Sequence, residues 1–216
     1  MKPDEVTRYV VVFDCNIYLD AARLLGEPFT WDKVESAMKT LVSAPVPHPG
    51  NGECDSLRSL VAAHAGRFGE EPLEVWTSVQ IDKMVRNMAA RSAFPKIMND
   101  YKGLGWSAEA AGGIVELLIH ELVERSRGGI LGDHFPDGNP PLDHEDGMIY
   151  GACRLLAGED PLAIVYCVTR DKGFVDAYEK GALSGHSAVI QPATFVGWIR
   201  LASLRTRLGR IPRPRG

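Results

Sequence analysis

An unbroken apolar run, Tyr9-Val-Val-Val-Phe13, stops at Asp14, and the period then changes to that of a helix through Ile17, Leu19, Ala21, Leu24 and Leu25, which Gly26 ends. A continuous apolar run is the mark of a strand buried on both faces, and the switch of period marks a strand feeding a helix. The same alternation recurs along the chain. Thr30-Trp-Asp-Lys predicts a helix start with Thr30 as cap and Val34, Met38 and Leu41 on one face. From Ser43 to Ser56 the Pro, Gly, Asn and His residues predict a long loop, followed by a short helix near Leu57 to Ala65. Gly66 to Pro72 then leads into a second strand, Leu73 to Thr77, with Ser78 capping a helix whose apolar side is Ile81, Met84, Val85 and Met88. A helix is expected from Ser107 to Arg125, and Gly128 to Leu142 is a second long loop. The remaining elements are a helix after Asp143, a strand Leu162 to Thr169, a helix near Lys172 to Glu179, a short strand Ala188 to Ile190 and an apolar helix from Ala193 to Leu204. Strands alternating with helices predict an α/β fold: three layers, α/β/α, around a central, mainly parallel sheet, with a helical insertion between the first and second strands.

Composition sharpens this only at the edges. With 216 residues and 45% hydrophobic positions, the chain is expected to form a single domain over residues 1–199 followed by a basic tail, 200–216. No apolar run approaches the ~20 residues of a membrane span, and Met1-Lys-Pro-Asp-Glu5 lacks the apolar core of a signal peptide. A cytoplasmic protein with no membrane contact is the expectation. Four cysteines without a Cys-x-x-Cys pair fit reduced thiols. The net charge is −4, yet Arg200 to Gly216 holds six arginines and no acid, which leaves 18 basic against 28 acidic residues elsewhere. Such a tail suits a polyanion, an acidic partner or the acidic body itself, or is simply a disordered solubilising segment.

The chemistry concentrates where apolar strands end. Asp14 follows the first strand, Asp143-His-Glu-Asp146 opens an apolar helix, and Thr169-Arg-Asp171 follows the strand that begins near Leu162. In an open parallel sheet these ends lie on one edge, where ligands bind. Each acid also has an ordinary explanation, because Asp at a helix start caps free N–H groups and suits the macrodipole. Together they are harder to explain, since two carboxylates ~4 Å apart repel by roughly 4 kcal/mol at an effective dielectric of 20. A hard cation removes that repulsion, so Mg²⁺ or Mn²⁺ held by Asp14, Asp146 and Asp171, with Asp143 as a further donor, is the expected occupant. Asn16 and Thr169 are placed to orient these ligands, and Arg170 and Lys172 to draw a backbone phosphate. Glu145 is read as a solvated first-turn acid and Asp176 as an exposed helix position. His144 lacks the second His of a zinc site and stays unassigned.

These residues resemble a known family. Val-Val-Phe-Asp14-Cys-Asn16-Ile-Tyr-Leu-Asp20 is similar to the opening strand and helix of PIN-domain nucleases, Asp143 to Ala157 resembles their third acidic motif, and Val168-Thr169-Arg-Asp171-Lys-Gly-Phe174 their fourth. Ile190-Gln-Pro-Ala-Thr-Phe195 is similar to the last strand leading into the final helix, so the resemblance spans Tyr9 to Trp198. It implies a metal-dependent endoribonuclease, most often the toxin of a toxin-antitoxin pair, with an RNA substrate, an antitoxin partner and a homodimeric assembly. One departure stands out: where the family has a Glu in the helix after the second strand, this chain has Met84. Asp82 is the nearest acid, two residues or ~200° away around a helix, so either a local shift lets Asp82 substitute or the second ligand is lost. Two alternatives follow. The first is a catalytically weak or inactive PIN-like module that binds RNA or protein. The second is a phosphatase resembling the haloacid dehalogenase type, whose motif wants a second Asp where Asn16 stands.

Overall fold

The computed structural model describes residues 8–43, 52–93, 102–183 and 185–209. Its centre is a sheet whose first strand, β1 (Arg8–Phe13), is the sequence's first apolar run; Val10, Val11, Val12 and Phe13 have at most 1% exposure. Three helices follow, α1 (Cys15–Leu25), α2 (Trp31–Ser43) and α3 (Gly52–His64), before the short β2 (Arg67–Phe68) and the longer β3 (Glu71–Ser78). Next come α4 (Val79–Ala90), α5 (Ala108–Ile114), a π-helical stretch (Val115–His120), α6 (Glu121–Ser126) and β4 (Ile130–Leu131). The chain closes with α7 (His144–Glu159), β5 (Ala163–Val168), α8 (Lys172–Glu179), β6 (Ser187–Ile190) and α9 (Pro192–Gly209).

The strand order is β2-β3-β1-β5-β6, with β4 also on β3. Only β2 pairs antiparallel, to the start of β3, while β4 runs parallel beside its end. β1 therefore has β3 on one side and β5 on the other, both parallel. The chain crosses in opposite directions from β1, which makes the C-terminal end of β1 the switch point where open α/β sheets hold ligands. Asp14 stands at that end.

Helices cover both faces, as expected. Along β5 successive side chains alternate, so Tyr166 meets Phe195 and Trp198 of α9, with ring centroids 6.1 and 5.5 Å away. Its neighbour Cys167 lies on the other face and hydrogen-bonds Cys153 of α7. In register with Tyr166, the β1 residues Val11 and then Phe13 share the α9 face, where Phe13 packs edge-on against Phe195 at 5.7 Å. The helical insertion between the first strands is α2 with α3, and α3 packs on α1 and α9.

Caps fall where the residue chemistry demands. Gly26 takes a left-handed φ of 73° after α1, and Ser78 Oγ accepts from Ile81 N at 3.2 Å to start α4. Thr30 Oγ1 accepts from Lys33 N, as a cap for α2 should. Four expectations need correction. The helix expected from Leu57 begins five residues earlier, at Gly52, so residues 52–56 of the expected loop are helical and its first residue, Ser43, ends α2; the rest, 44–51, lies outside the described residues. The two-residue strands β2 and β4 were not expected, being too short to carry a period. Next, the helix expected from Ser107 to Arg125 contains a π stretch, and Trp31 Nε1 satisfies one of its carbonyls, that of Leu117, at 2.9 Å. Finally, α9 runs to Gly209, past the expected end at Leu204 and further into the expected tail. Residues 210–216 lie outside the described part.

Candidate functional site

Asp14 occupies the cap position of α1 yet does not cap it. Its carboxylate, 2% exposed, turns instead to the sheet edge, where Oδ2 accepts from Asn16 Nδ2 and Thr169 Oγ1 and Oδ1 accepts from Cys15 Sγ at 3.1 Å. A buried carboxylate needs hydrogen-bond donors, and three side chains supply them here and fix its orientation. Burial pushes its pKa up; the hydrogen bonds from Thr169, Cys15 and Asn16 oppose this, and the charge of Asp171 adds to the rise. Thr169 is the hinge of the arrangement. Fully buried at the end of β5, its hydroxyl also accepts from Asp171 N at 2.9 Å and from Asn16 Nδ2 at 3.2 Å.

Asp143 and Asp171 do cap their helices. Asp143 Oδ1 accepts from Asp146 N at 2.9 Å at the start of α7, and Asp171 Oδ1 accepts from Phe174 N at 2.9 Å at the start of α8. Each keeps its second oxygen, and each is exposed. Asp146, half-buried, behaves differently. Its carboxyl pKa is pushed up to about 8, first by burial, then by the charges of Asp14, Asp143, Asp171 and Glu145. The acids from the ends of β1 and β5 and from the start of α7 thus lie within Coulombic reach of one another. Glu145, expected to be a bystander, contributes to the same field. His144 is exposed and touches none of these groups through a hydrogen bond among the described residues.

Asp82 stands apart. Its Oδ2 lies 2.8 Å from His120 Nε2 and its Oδ1 accepts from Thr77 Oγ1 at 3.3 Å, so the pair sits at the end of β3. Its charge is felt by the Tyr18 hydroxyl, which is fully buried and has no hydrogen-bond partner among the described residues. Met84, where a Glu would complete the family pattern, is half-buried and packs against the core.

Arg170 and Lys172, expected to draw phosphate, differ. Lys172 is exposed at the start of α8. Arg170 instead reaches across α1, its Nη1 2.6 Å from Asp20 Oδ2, while its backbone N donates to Asn16 Oδ1 at 3.3 Å. Asp20 is 4% exposed and also binds Ser56 Oγ at 2.8 Å and Arg23 Nη1 at 3.3 Å. Gly52 at the start of α3 makes room for that guanidinium, since a Cβ there would lie 2.4 Å from Arg170 Nε. This network ties the 169–171 turn to α1 and α3. Sequence reasoning missed Asp20, although a signal existed: it is an acid on the apolar side of α1, beside Ile17 and Ala21.

Compared with family models, curated proteins and solved structures, the chain gives no match. Among the described residues, no group of three or more His, Cys, Asp and Glu side chains is arranged to hold a metal ion. The donor chemistry, all carboxylate oxygens, nevertheless suits a hard cation: burial first and then the neighbouring carboxylates raise Asp146, and such an ion would offset the repulsive part of that rise. A soft thiolate-binding metal suits it poorly, because burial and Asp14 hold the Cys15 thiol far above its ordinary pKa.

Proposed function

We propose that the protein is a divalent-cation-dependent endoribonuclease whose ion is held by Asp14, Asp146 and Asp171, with the free oxygen of Asp143 as a further donor. One observation carries the proposal: Asp146 is raised to about 8 beside a buried, pre-oriented Asp14. A carboxyl so perturbed at the C-terminal edge of a parallel sheet is a mark of a site. The motif resemblance to PIN-domain nucleases supports RNA as the substrate and a toxin-antitoxin setting, with an antitoxin protein and a second copy of the chain as partners.

When bound, Mg²⁺ or Mn²⁺ would lower the pKa of water and offset charge on the phosphodiester. The chain's own part is positional. Thr169 and Asn16 hold Asp14 in one orientation, and the Thr169 hydroxyl passes that constraint to the backbone of Asp171. Asp146, raised to about 8, would hold such an ion only in its deprotonated form. Lys172 is free to meet the phosphate, and Arg170, anchored by Asp20, adds positive charge at the rim.

A second reading, an inactive RNA- or protein-binding module, is favoured by the lack of a three-donor group among the described residues and by Asp82 being engaged with His120. Incubating RNA with the full chain and with Asp14→Asn and Asp171→Asn in Mg²⁺ or Mn²⁺ buffer separates the two. Discrete cuts lost in both variants support the enzyme; identical RNA decay in all three proteins refutes it.

A further inference from the structure

At the opposite end of β3 from the carboxylates, ~20 Å along the strand at ~3.3 Å per residue, a cavity of about 300 Å³ is lined by Arg67, Glu70, Pro72, Arg125, Ser126 and Arg127, with Ala65 and Gly66. Three arginines and one glutamate are among its lining residues. Arg125 pairs with Glu121 at 3.4 Å, while Arg67 and Arg127 are exposed and make no ion pair among the described residues. The pKa of the nearby His64 is lowered by burial and then by the charge of Arg125, against the opposing charge of Glu121.

Arg127 supplies an independent sign. It has a φ of 61°, the only non-glycine positive φ among the described residues, and its N–H closes α6 by bonding Glu124 O and Val123 O. Glycine is the default at such a left-handed helix end, because any Cβ there is strained. The adjacent glycines serve elsewhere: at Gly128 a Cβ would fall 1.8 Å from Val75 O, and at Gly129 2.6 Å from the Trp76 ring. An arginine standing at a position that disfavours it points to a use for its side chain.

We infer that this cavity binds a phosphate group, gripped by Arg67 and Arg127 and flanked by Arg125, at a site separate from the carboxylate edge. The guanidinium fork matches phosphate oxygens in pairs, and a volume at the small end of ligand sites suits one phosphate and little more. The phosphate belongs either to a free small anion or to the end of a nucleic acid. The ordinary alternative is that Arg125 and Arg127 merely offset the C-terminal dipole of α6.

The test is calorimetric titration of the full chain with inorganic phosphate, with a 5′-phosphorylated RNA oligomer and with its 5′-hydroxyl form. Arg127→Gly and Arg67→Gln are run beside the parent, each with a thermal melt. The inference predicts saturable phosphate binding that falls at least ~10-fold in Arg127→Gly, the ratio that ~1.4 kcal/mol of lost binding gives, while that variant melts no lower than the parent. Tighter binding of the phosphorylated oligomer than of free phosphate assigns the site to nucleic-acid ends; equal affinity assigns it to small anions. No saturable binding of any probe, or unchanged affinity in Arg127→Gly, overturns the inference. A lower melting temperature in Arg127→Gly with unchanged affinity overturns the inference and assigns the side chain to offsetting the α6 dipole instead.

Discussion

Replacing Asp146 with Asn should stabilise the metal-free protein at pH 8 and leave it nearly unchanged at pH 4. In the folded chain this carboxyl titrates near 8, against 3.8 ordinarily. Between those values the unfolded chain has released the proton and the folded chain retains it, so folding stability falls as pH rises from about 4 to 8. Four units at ~1.36 kcal/mol each set a ceiling of ~6 kcal/mol. Partial solvation of the half-buried carboxyl reduces it, and the N-terminus of α7 favours the anion by ~0.5–1 kcal/mol, which leaves ~1–3 kcal/mol. For a chain of this size that is a rise in Tm of ~3–10 °C. Denaturant unfolding of parent and Asp146→Asn in chelator, at pH 4, 6 and 8, measures it. An equal difference at all three pH values, or a variant less stable at pH 8, would refute the electrostatic origin of the strain at this edge.

Other outcomes follow from the same contacts. Thr169→Val removes a buried donor to Asp14 and an acceptor for Asp171 N, and should lower unfolding free energy by ~1–3 kcal/mol while abolishing any RNA cleavage at unchanged RNA affinity. Asp20→Ala leaves Arg170 and Ser56 without their shared carboxylate, with an expected loss of ~1–3 kcal/mol after discounting the partly exposed guanidinium; urea midpoints would reveal it. Leu60→Ala, at 1% exposure between α3 and its neighbours, should cost ~2–5 kcal/mol without altering metal affinity, which separates stability from site effects.

How much was legible beforehand differs by residue. Strands β1 and β5 were readable because burial on both faces forces continuous apolar runs, and the caps Thr30, Ser78, Asp143 and Asp171 because a side-chain oxygen at a helix start can accept from the free N–H groups there. The short β2 and β4 were not readable, since two residues paired to β3 carry no pattern of their own. Asp14 and its partners Asn16 and Thr169 were anticipated from strand ends. Arg170 was assigned to phosphate without its anchor, because its ion pair with Asp20 joins residues 150 apart in sequence. Nor could spacing reveal Asp82 facing His120, since the contact depends on how the π stretch sets His120 against α4.

The central claim, that Asp14, Asp146 and Asp171 share one divalent cation, is tested most directly by calorimetry of Mn²⁺ binding at pH 7 in two buffers of different ionisation enthalpy. With Asp146 titrating near 8, binding should release ~0.9 proton per ion. That release should vanish in Asp146→Asn, and the binding heat itself in Asp14→Asn. Absence of Mn²⁺ binding by the parent, or binding without proton release that survives both substitutions, would contradict the claim.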